Sequence, residues 1–261
     1  MTNLNYKIHP GSGPVMLLVH GFLSSSSQWS LNLSALGQVC TPVTVELYGH
    51  GHSPSPLQAG AYSPENYLAE FEAIRQAIGV EQWLLCGYSL GAGLTIRYAL
   101  QYPHRTIAHI FTNSTSAFSL PREESELPQQ IITRFEQGGI KEIEAIPVHP
   151  KHAHKLSGEV RSALLRDARL LNPAGIGRTI VYTNPCVSVR NDLQQNIRPA
   201  LLVCGTEENR FLPLREFVEV NMPMIKIVDL PAGHAVNAEC SEGFDQAVVA
   251  FIQENAGSHS S

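Results

Sequence analysis

The sequence predicts an α/β protein with a mostly parallel central sheet flanked by helices. Short apolar runs, such as Val15–Val19, alternate along the chain with longer segments of helical periodicity, such as Pro64–Ile78. Parallel strands that are covered by helices on both faces give that alternation. Length and composition agree, since a chain of 261 residues with 43% hydrophobic content can bury about three quarters of its unfolded surface.

Seven strands and five core helices are predicted. The strands are residues 6–8, 15–19, 42–47, 83–88, 107–112, 200–204 and 225–229, and the helices are residues 28–36, 64–78, 90–101, 214–220 and 241–254. The second helix has the clearest ends. Ser63 is a good N-cap, Pro64 suits the first helical position, and Gly79 can adopt the left-handed conformation that ends a helix.

A long insertion interrupts the alternation at residues 115–198, where the periodicity is mostly helical, including residues 127–135 and 160–171. The core is therefore predicted to comprise residues 1–114 and 199–255, and residues 256–261 are predicted to form a disordered tail. Eight apolar residues of the insertion could line a substrate pocket, although packing between its helices and the core is the simpler interpretation for each. They are Phe118, Leu127, Ile131, Ile132, Phe135, Ile143, Leu164 and Leu165.

The turn from a strand to a helix at residues 87–91 carries the first chemical signal. Its sequence, GYSLG, follows the apolar run 83–86 and leads into the helical segment 90–101. Gly87 and Gly91 let strand and helix approach closely, so that Ser89 is held outward on a strained turn. A serine hydroxyl there is a candidate nucleophile if a base and oxyanion donors lie close to it. Taken alone, the motif is equally compatible with a structural turn.

Three further motifs occur in the order of one catalytic template. HGF stands at residues 20–22, GHGHS at 49–53 and AGH at 232–234. Together with GYSLG they resemble the α/β-hydrolase superfamily over residues 15–254. The resemblance implies a helical cap, or lid, at the insertion, between strands six and seven of the family pattern. It also implies a reaction without a metal or organic cofactor, and a structural rather than catalytic role for GHGHS.

His234 is the candidate general base. An imidazole can carry a proton near neutral pH, and His234 follows the predicted strand 225–229 and precedes the last helix, as the base of the resembled superfamily does. An exposed surface residue is the alternative interpretation of this loop histidine.

The acid that orients the imidazole is expected in the loop after the predicted strand 200–204. The resemblance implies an acidic residue three positions after Gly205. This residue is Glu208, where most members have Asp. Three other carboxylates remain alternatives: Glu207, Asp192 and Asp229.

Two backbone N–H groups are needed to bind the oxyanion. Leu90 supplies one, as the residue after the nucleophile at a helix N-terminus. The resemblance assigns the second to Phe22, the residue after His20 and Gly21, with Leu23 as the fallback.

The expected reaction is hydrolysis of a small carboxylic ester or lactone through an acyl-enzyme on Ser89. One alternative is a C–C hydrolase or the lyase of menaquinone biosynthesis, which the chain resembles around GYSLG and residues 205–211 and 232–239. That lyase family has Arg four positions after the nucleophile. This chain has Gly93, which disfavours a polyanionic substrate and predicts more space beside the turn. Three arginines of the insertion could replace the missing one, although their helical spacing is equally typical of a solvent-exposed face: Arg161, Arg166 and Arg169.

A second alternative is a signalling receptor with a hydrolase-like fold, which keeps the triad but acts by contacting another protein. Repeated turnover distinguishes an enzyme from such a receptor, which would be bound or modified near stoichiometrically.

Composition argues against several other classes. The net charge of −5 arises from 18 basic and 23 acidic residues without long runs of either sign, which disfavours a nucleic-acid partner. No apolar stretch suggests a membrane span or signal peptide, so a cytoplasmic protein is expected. Five scattered cysteines predict no disulfide. His149, His152 and His154 lack a neighbouring Cys or carboxylate set, which favours an exposed loop over a zinc site.

Overall fold

A seven-stranded sheet lies at the centre of the molecule in the computed structural model, which describes residues 2–120, 127–156 and 158–256. The strands are β1 (Tyr6–Ile8), β2 (Val15–Val19), β3 (Thr41–Val45), β4 (Trp83–Gly87), β5 (Thr106–Thr112), β6 (Ala200–Gly205) and β7 (Ile225–Leu230). Their spatial order is β1-β3-β2-β4-β5-β6-β7. β1 pairs antiparallel with β3, and the other neighbouring pairs are parallel. The predicted α/β fold is confirmed.

The strands are connected mainly by helices. In chain order these are α1 (Leu33–Leu36), α2 (Pro64–Ile78), α3 (Leu90–Gln101), α4 (Thr115–Phe118), α5 (Pro128–Gly138), α6 (Ile140–Ala145), α7 (Gly158–Asp167), α8 (Pro173–Arg178), α9 (Leu212–Asn221), α10 (Val236–Glu239) and α11 (Ser241–Ala256). Six short 3₁₀ segments and one π-helical turn, Thr179–Thr183, complete the described part of the chain.

The sheet is buried on both faces because the side chains of each strand alternate between two apolar layers. In β2, Leu17 and Val19 belong to the layer that contains Phe71 of α2. Met16 and Leu18 point to the opposite layer, with Phe244 of α11. All six side chains are essentially inaccessible to solvent. This arrangement leaves the carboxyl ends of the parallel strands as the edge where loops can carry chemistry.

The predicted helix 28–36 is wrong. The chain forms a 3₁₀ turn, Ser26–Trp29, and then, after a break, the short α1. Polar side chains explain the break: Ser25 accepts the N–H of Ser27, and the Asn32 amide donates to Asp245 at 2.8 Å. The remaining predicted core elements are present, with ends within two residues of those predicted.

Helices α4 to α8 lie between β5 and β6, the fifth and sixth strands of this chain. Most of the apolar residues named from the insertion are packed in the protein interior. Ile131, Ile132, Phe135 and Ile143 form a buried cluster that also includes Leu23 of the core. Within the described residues, no helix combines the length and apolar character needed to cross a bilayer. The predicted tail, 256–261, lies outside the described residues except for residue 256.

Candidate active site

Ser89 lies on a strained turn between β4 and α3. Its φ of 53° and ψ of −115° put it in a region that non-glycine residues rarely adopt. The flanking glycines are required by close approach. A Cβ on Gly87 would lie 2.3 Å from the Thr95 hydroxyl, and one on Gly91 would lie 2.3 Å from the Val19 carbonyl. The turn therefore has the geometry expected of an exposed nucleophile, with the strain maintained by tight packing on both sides.

Three side chains from separate loops form a continuous hydrogen-bonded chain. Ser89 Oγ lies 2.9 Å from His234 Nε2, and His234 Nδ1 lies 2.9 Å from Glu208 Oε2. With Nδ1–H donating to the carboxylate, Nε2 is free to accept the serine proton. His234 lies in the loop between β7 and α10, and Glu208 lies in the loop after β6. The structure thus brings together the three residues predicted as nucleophile, base and acid.

Glu208 is held by a residue that the sequence did not indicate. Asn113, directly after β5, donates from its side-chain amide to Glu208 Oε2 and to the Gly205 carbonyl, both at 2.9 Å. Its amide oxygen accepts the Gly205 N–H at 3.0 Å. Burial raises the pKa of Glu208, but hydrogen bonds from His234 and Asn113 lower it, and the net pKa is below its usual value. The carboxylate is therefore ionised at neutral pH.

The alternative carboxylates have other partners. Glu207 pairs with Lys155 at 2.6 Å, and Asp229 pairs with Arg215 at 2.9 Å. Asp192 accepts a hydrogen bond from Gln195. Glu208 is the carboxylate that contacts His234 in the described part of the chain.

The two N–H groups predicted as oxyanion donors are available. Neither Phe22 N–H nor Leu90 N–H donates to an acceptor within the described residues, and both residues line the cavity that contains Ser89. The fallback donor is engaged, since Leu23 N–H donates to His50 Nε2 at 3.2 Å. This contact excludes Leu23 N–H as a donor in the present conformation.

A cavity of about 1100 Å³ opens at Ser89. Apolar side chains form part of its wall: Phe22, Leu23, Tyr88, Leu156, Leu164 and Leu214. Polar side chains line the remainder, among them Ser24, Gln28, Ser116, Ser119, Asn184 and Arg210. Leu164 is the one member of the eight apolar residues predicted from the insertion that lines this cavity.

The histidine-containing loop of the insertion forms another part of the wall. His152 and His154 are exposed, as predicted, but His149 is only 4% exposed. Its Nδ1 accepts the N–H of Lys151, and burial lowers its pKa. The prediction of an exposed loop is therefore wrong for His149. Within residues 2–120, 127–156 and 158–256, no cluster of His, Cys, Asp and Glu has the arrangement of a metal site.

Gly93 does not widen the cavity, contrary to the sequence prediction. It is absent from the cavity wall and faces residue 187 of the inserted segment. A Cβ at this position would lie 2.6 Å from Val187 Cγ2 and 3.0 Å from the Val187 carbonyl oxygen. One turn further along α3, Arg97 donates to the carbonyls of Cys186 and Ser188, both at 2.8 Å. The space that an arginine would need is filled by this segment.

The fold and the position of the candidate site define the class of protein. A family model for the α/β hydrolase fold matches residues 14–138, which include the Ser89 turn. The sheet order and the similarity to solved structures show that the rest of the core has the same fold. The chain therefore has the α/β-hydrolase fold.

Individual relatives cover nearly the whole chain. A Bacillus subtilis (strain 168) protein, provisionally named 2-succinyl-6-hydroxy-2,4-cyclohexadiene-1-carboxylate synthase, is 24% identical over 93% of this chain and 92% of its own length. MenH from S. aureus is 17% identical, with a TM-score of 0.82 over 96% of this chain and 98% of that one. The enol-lactonase from Burkholderia xenovorans LB400 is 18% identical, with a TM-score of 0.80 over 96% of each chain.

Several further curated relatives are matched over only 26% to 33% of their own length. The solved structures, at these identities, establish the shared fold.

Proposed function

We propose that the protein is a serine hydrolase that cleaves a small carboxylic ester or lactone through an acyl-enzyme on Ser89. The hydrogen-bonded chain from Ser89 through His234 to Glu208 carries this proposal. Its order and distances match those by which an imidazole activates a serine hydroxyl while a carboxylate fixes the tautomer. The two available N–H groups, on Phe22 and Leu90, support it.

The reaction begins when Ser89 Oγ attacks the substrate carbonyl carbon and its proton passes to His234 Nε2. The resulting oxyanion accepts hydrogen bonds from Phe22 N–H and Leu90 N–H. Collapse of this intermediate breaks the bond to the leaving-group oxygen, which takes the proton from Nε2. Water then attacks the acyl-enzyme with His234 as base, releasing the carboxylic acid and restoring the Ser89 hydroxyl. No metal or organic cofactor takes part in this sequence.

We assign residues 115–198 as a cap on a core of residues 1–114 and 199–255. Residues 147–150 and 152–156, with Leu164, line the cavity from the inserted segment, opposite a wall from the core that includes Phe22 and Tyr88. The size of the cavity and its mixed wall suit a small organic substrate with an ester-like carbonyl.

Steady-state hydrolysis of p-nitrophenyl esters from acetate to decanoate tests the proposal. Ser89→Ala should lower turnover by several orders of magnitude, because members of such a triad act as a unit. Ser30→Ala is the control, since it removes an exposed serine hydroxyl that is absent from the cavity wall and should leave turnover within about threefold. Undiminished activity of Ser89→Ala would refute the proposal.

A lyase reaction is the second candidate. The B. subtilis relative is named as a carboxylate synthase, and it matches this chain along nearly its full length. The packing of Gly93 against Val187 argues against a lyase reaction, because the arginine of the resembled lyase family is absent and has no space here. Release of pyruvate from the lyase substrate, measured with lactate dehydrogenase and lost in Ser89→Ala, would favour the lyase over the esterase.

A further inference from the structure

The loop after β2 carries a strained residue next to the proposed oxyanion donor. Leu23 has a φ of 57°, a left-handed conformation that costs a non-glycine residue roughly 1 to 2 kcal/mol. The conformation needs support from its surroundings. Ser24 N–H donates to the Gly21 carbonyl at 3.2 Å, and Leu23 N–H donates to His50 Nε2, also at 3.2 Å. The second contact reaches across from the GHGHS segment, 27 residues away in sequence.

The hydrogen bonds of His50 identify its tautomer. His50 Nδ1 lies 2.9 Å from the Tyr48 carbonyl oxygen, which can only accept, so Nδ1 carries the proton. Nε2 is then a lone-pair acceptor, which suits the N–H of Leu23. The ring is fully buried. Burial, reinforced by the neighbouring His20, lowers the pKa of His50 to about 3, so the ring stays neutral across the pH range of an enzyme assay.

His50 also contacts the neighbouring residue of the loop. The rings of His50 and Phe22 meet edge to face, with centroids 6.2 Å apart. His50 therefore touches the ring of Phe22 and also the N–H of the peptide unit that joins Phe22 to Leu23. Rotation of that part of the loop would change the direction of Phe22 N–H.

We propose that His50 is a positioning residue whose neutral Nε2, by accepting Leu23 N–H, directs Phe22 N–H at the oxyanion. The inference rests on the proposed hydrolase function and gives the GHGHS segment a role beyond that of a structural loop. Its effect should fall on the transition state, where the oxyanion exists, and little on binding of the substrate. Loss of a whole oxyanion donor reduces kcat by roughly 10²- to 10³-fold, so loss of its alignment should reduce kcat by about 10- to 100-fold.

Two substitutions test the role of the acceptor. His50→Asn removes an acceptor at the Nε2 position, and His50→Gln places an amide oxygen near it. We expect kcat for a p-nitrophenyl ester to fall about 10- to 100-fold in His50→Asn with KM within threefold, and His50→Gln to recover part of the loss. His109→Asn is the matched control. His109 is equally buried, bonded to Asn196 and absent from the cavity wall.

A transition-state analogue separates positioning from general damage. The inhibition constant of a trifluoromethyl ketone, whose adduct with Ser89 carries the oxyanion, should rise in His50→Asn by the same factor as kcat/KM falls. In His109→Asn both should stay within threefold even if the melting temperature falls. Folded His50→Asn with unchanged kcat, or with unchanged affinity for the ketone, would overturn the inference.

A measurement on the unmodified protein keeps the inference testable if the variants do not fold. The ¹⁵N spectrum of the histidine side chains should show His50 as the Nδ1–H tautomer from pH 6 to 8, and an Nε2–H tautomer would overturn the inference. A failure of the proposed function would give a different result. The wild-type protein would then show no ester turnover that depends on Ser89.

Discussion

Glu239, the last residue of α10, accepts the backbone N–H of Gly233 at 2.7 Å and thereby ties α10 to the loop of the candidate base. Its other carboxylate oxygen accepts the N–H of Ala235 at 3.2 Å. The two donors flank His234, so one side chain fixes the backbone on both sides of the imidazole. This arrangement explains how a loop with few side-chain anchors can hold the base within reach of both Ser89 and Glu208.

Glu239→Ala should loosen the loop of His234. Two charge-assisted hydrogen bonds are lost, and small displacements of a catalytic group can reduce rates by up to about 10²-fold. We expect kcat for a p-nitrophenyl ester to fall about 10- to 100-fold, with a smaller change in KM. Glu242→Ala, which removes an exposed acid in the first turn of α11, is the control. Equal kinetics of the two variants would contradict the role of Glu239.

A comparison of Glu208→Gln with Glu207→Gln should show which of the two neighbouring carboxylates orients His234. The amide is close in shape to the carboxylate, but it cannot stabilise an imidazolium by charge. In a serine triad the corresponding change reduces kcat by roughly 10⁴-fold, and we expect a loss of about 10³- to 10⁴-fold here. Glu207→Gln removes only an exposed pair with Lys155, and its kcat should stay within threefold of wild type. A larger loss in Glu207→Gln than in Glu208→Gln, measured on one ester, would reverse the assignment.

Gly93→Ala should destabilise the fold, because its Cβ would lie 2.6 Å from Val187 Cγ2. Overpacking of this kind costs roughly 1 to 3 kcal/mol. Val187→Ala removes the contacting methyl groups, so Gly93→Ala should cost less in that background. Urea unfolding of the wild type, both single variants and the double variant gives the coupling free energy. Additive effects within about 0.5 kcal/mol would show that the two residues do not compete for space.

Local signals in the sequence were sufficient for the strands and for the Ser89 turn, because periodicity and the glycine-bracketed turn depend on neighbours in the chain. His234 and Glu208 were predicted through the resemblance to a known superfamily, and the structure places both in one hydrogen-bonded chain with Ser89. Asn113, Glu239 and His50 depend instead on distant elements. Asn113 lies 95 residues before the carboxylate it contacts. An Asn after a strand or a Glu in a short helix has many ordinary roles, so no pattern distinguishes these residues.

Gly93 is a second case in which a distant segment, invisible to local sequence patterns, determines the surroundings of a residue. The absence of a side chain was interpreted as empty space, whereas the inserted segment fills it with Val187. The sequence did not show that residues 186–189 run beside α3, where Arg97 holds them by hydrogen bonds. The histidine loop is a related case, because the burial of His149 depends on how the insertion folds over the cavity.

Asp245 gives the protein a pH-dependent stability that a single substitution should remove. Burial raises its pKa to about 6 from the usual 3.8, although a hydrogen bond from Asn32 opposes the rise. The carboxyl belongs to a buried polar network, since Asn32 also accepts the side-chain N–H of Asn237, and Asn237 in turn bonds with Gln28. The network therefore contains one carboxyl that stays protonated up to about pH 6.

The sign follows from the two ionisation states. Below about pH 4 both folded and unfolded carboxyls are protonated, but between pH 4 and 6 the unfolded carboxyl ionises while the folded one does not, so stability falls as pH rises. Asp245→Asn keeps an oxygen for Asn32 and cannot ionise. We expect it to be more stable than wild type at pH 8 by about 1 to 2 kcal/mol and similar to wild type at pH 4. Urea unfolding at the two pH values measures this difference. An equal effect at both would mean that the folded pKa of Asp245 is not raised, whereas a gain confined to pH 8 would identify its ionisation as a cost of folding.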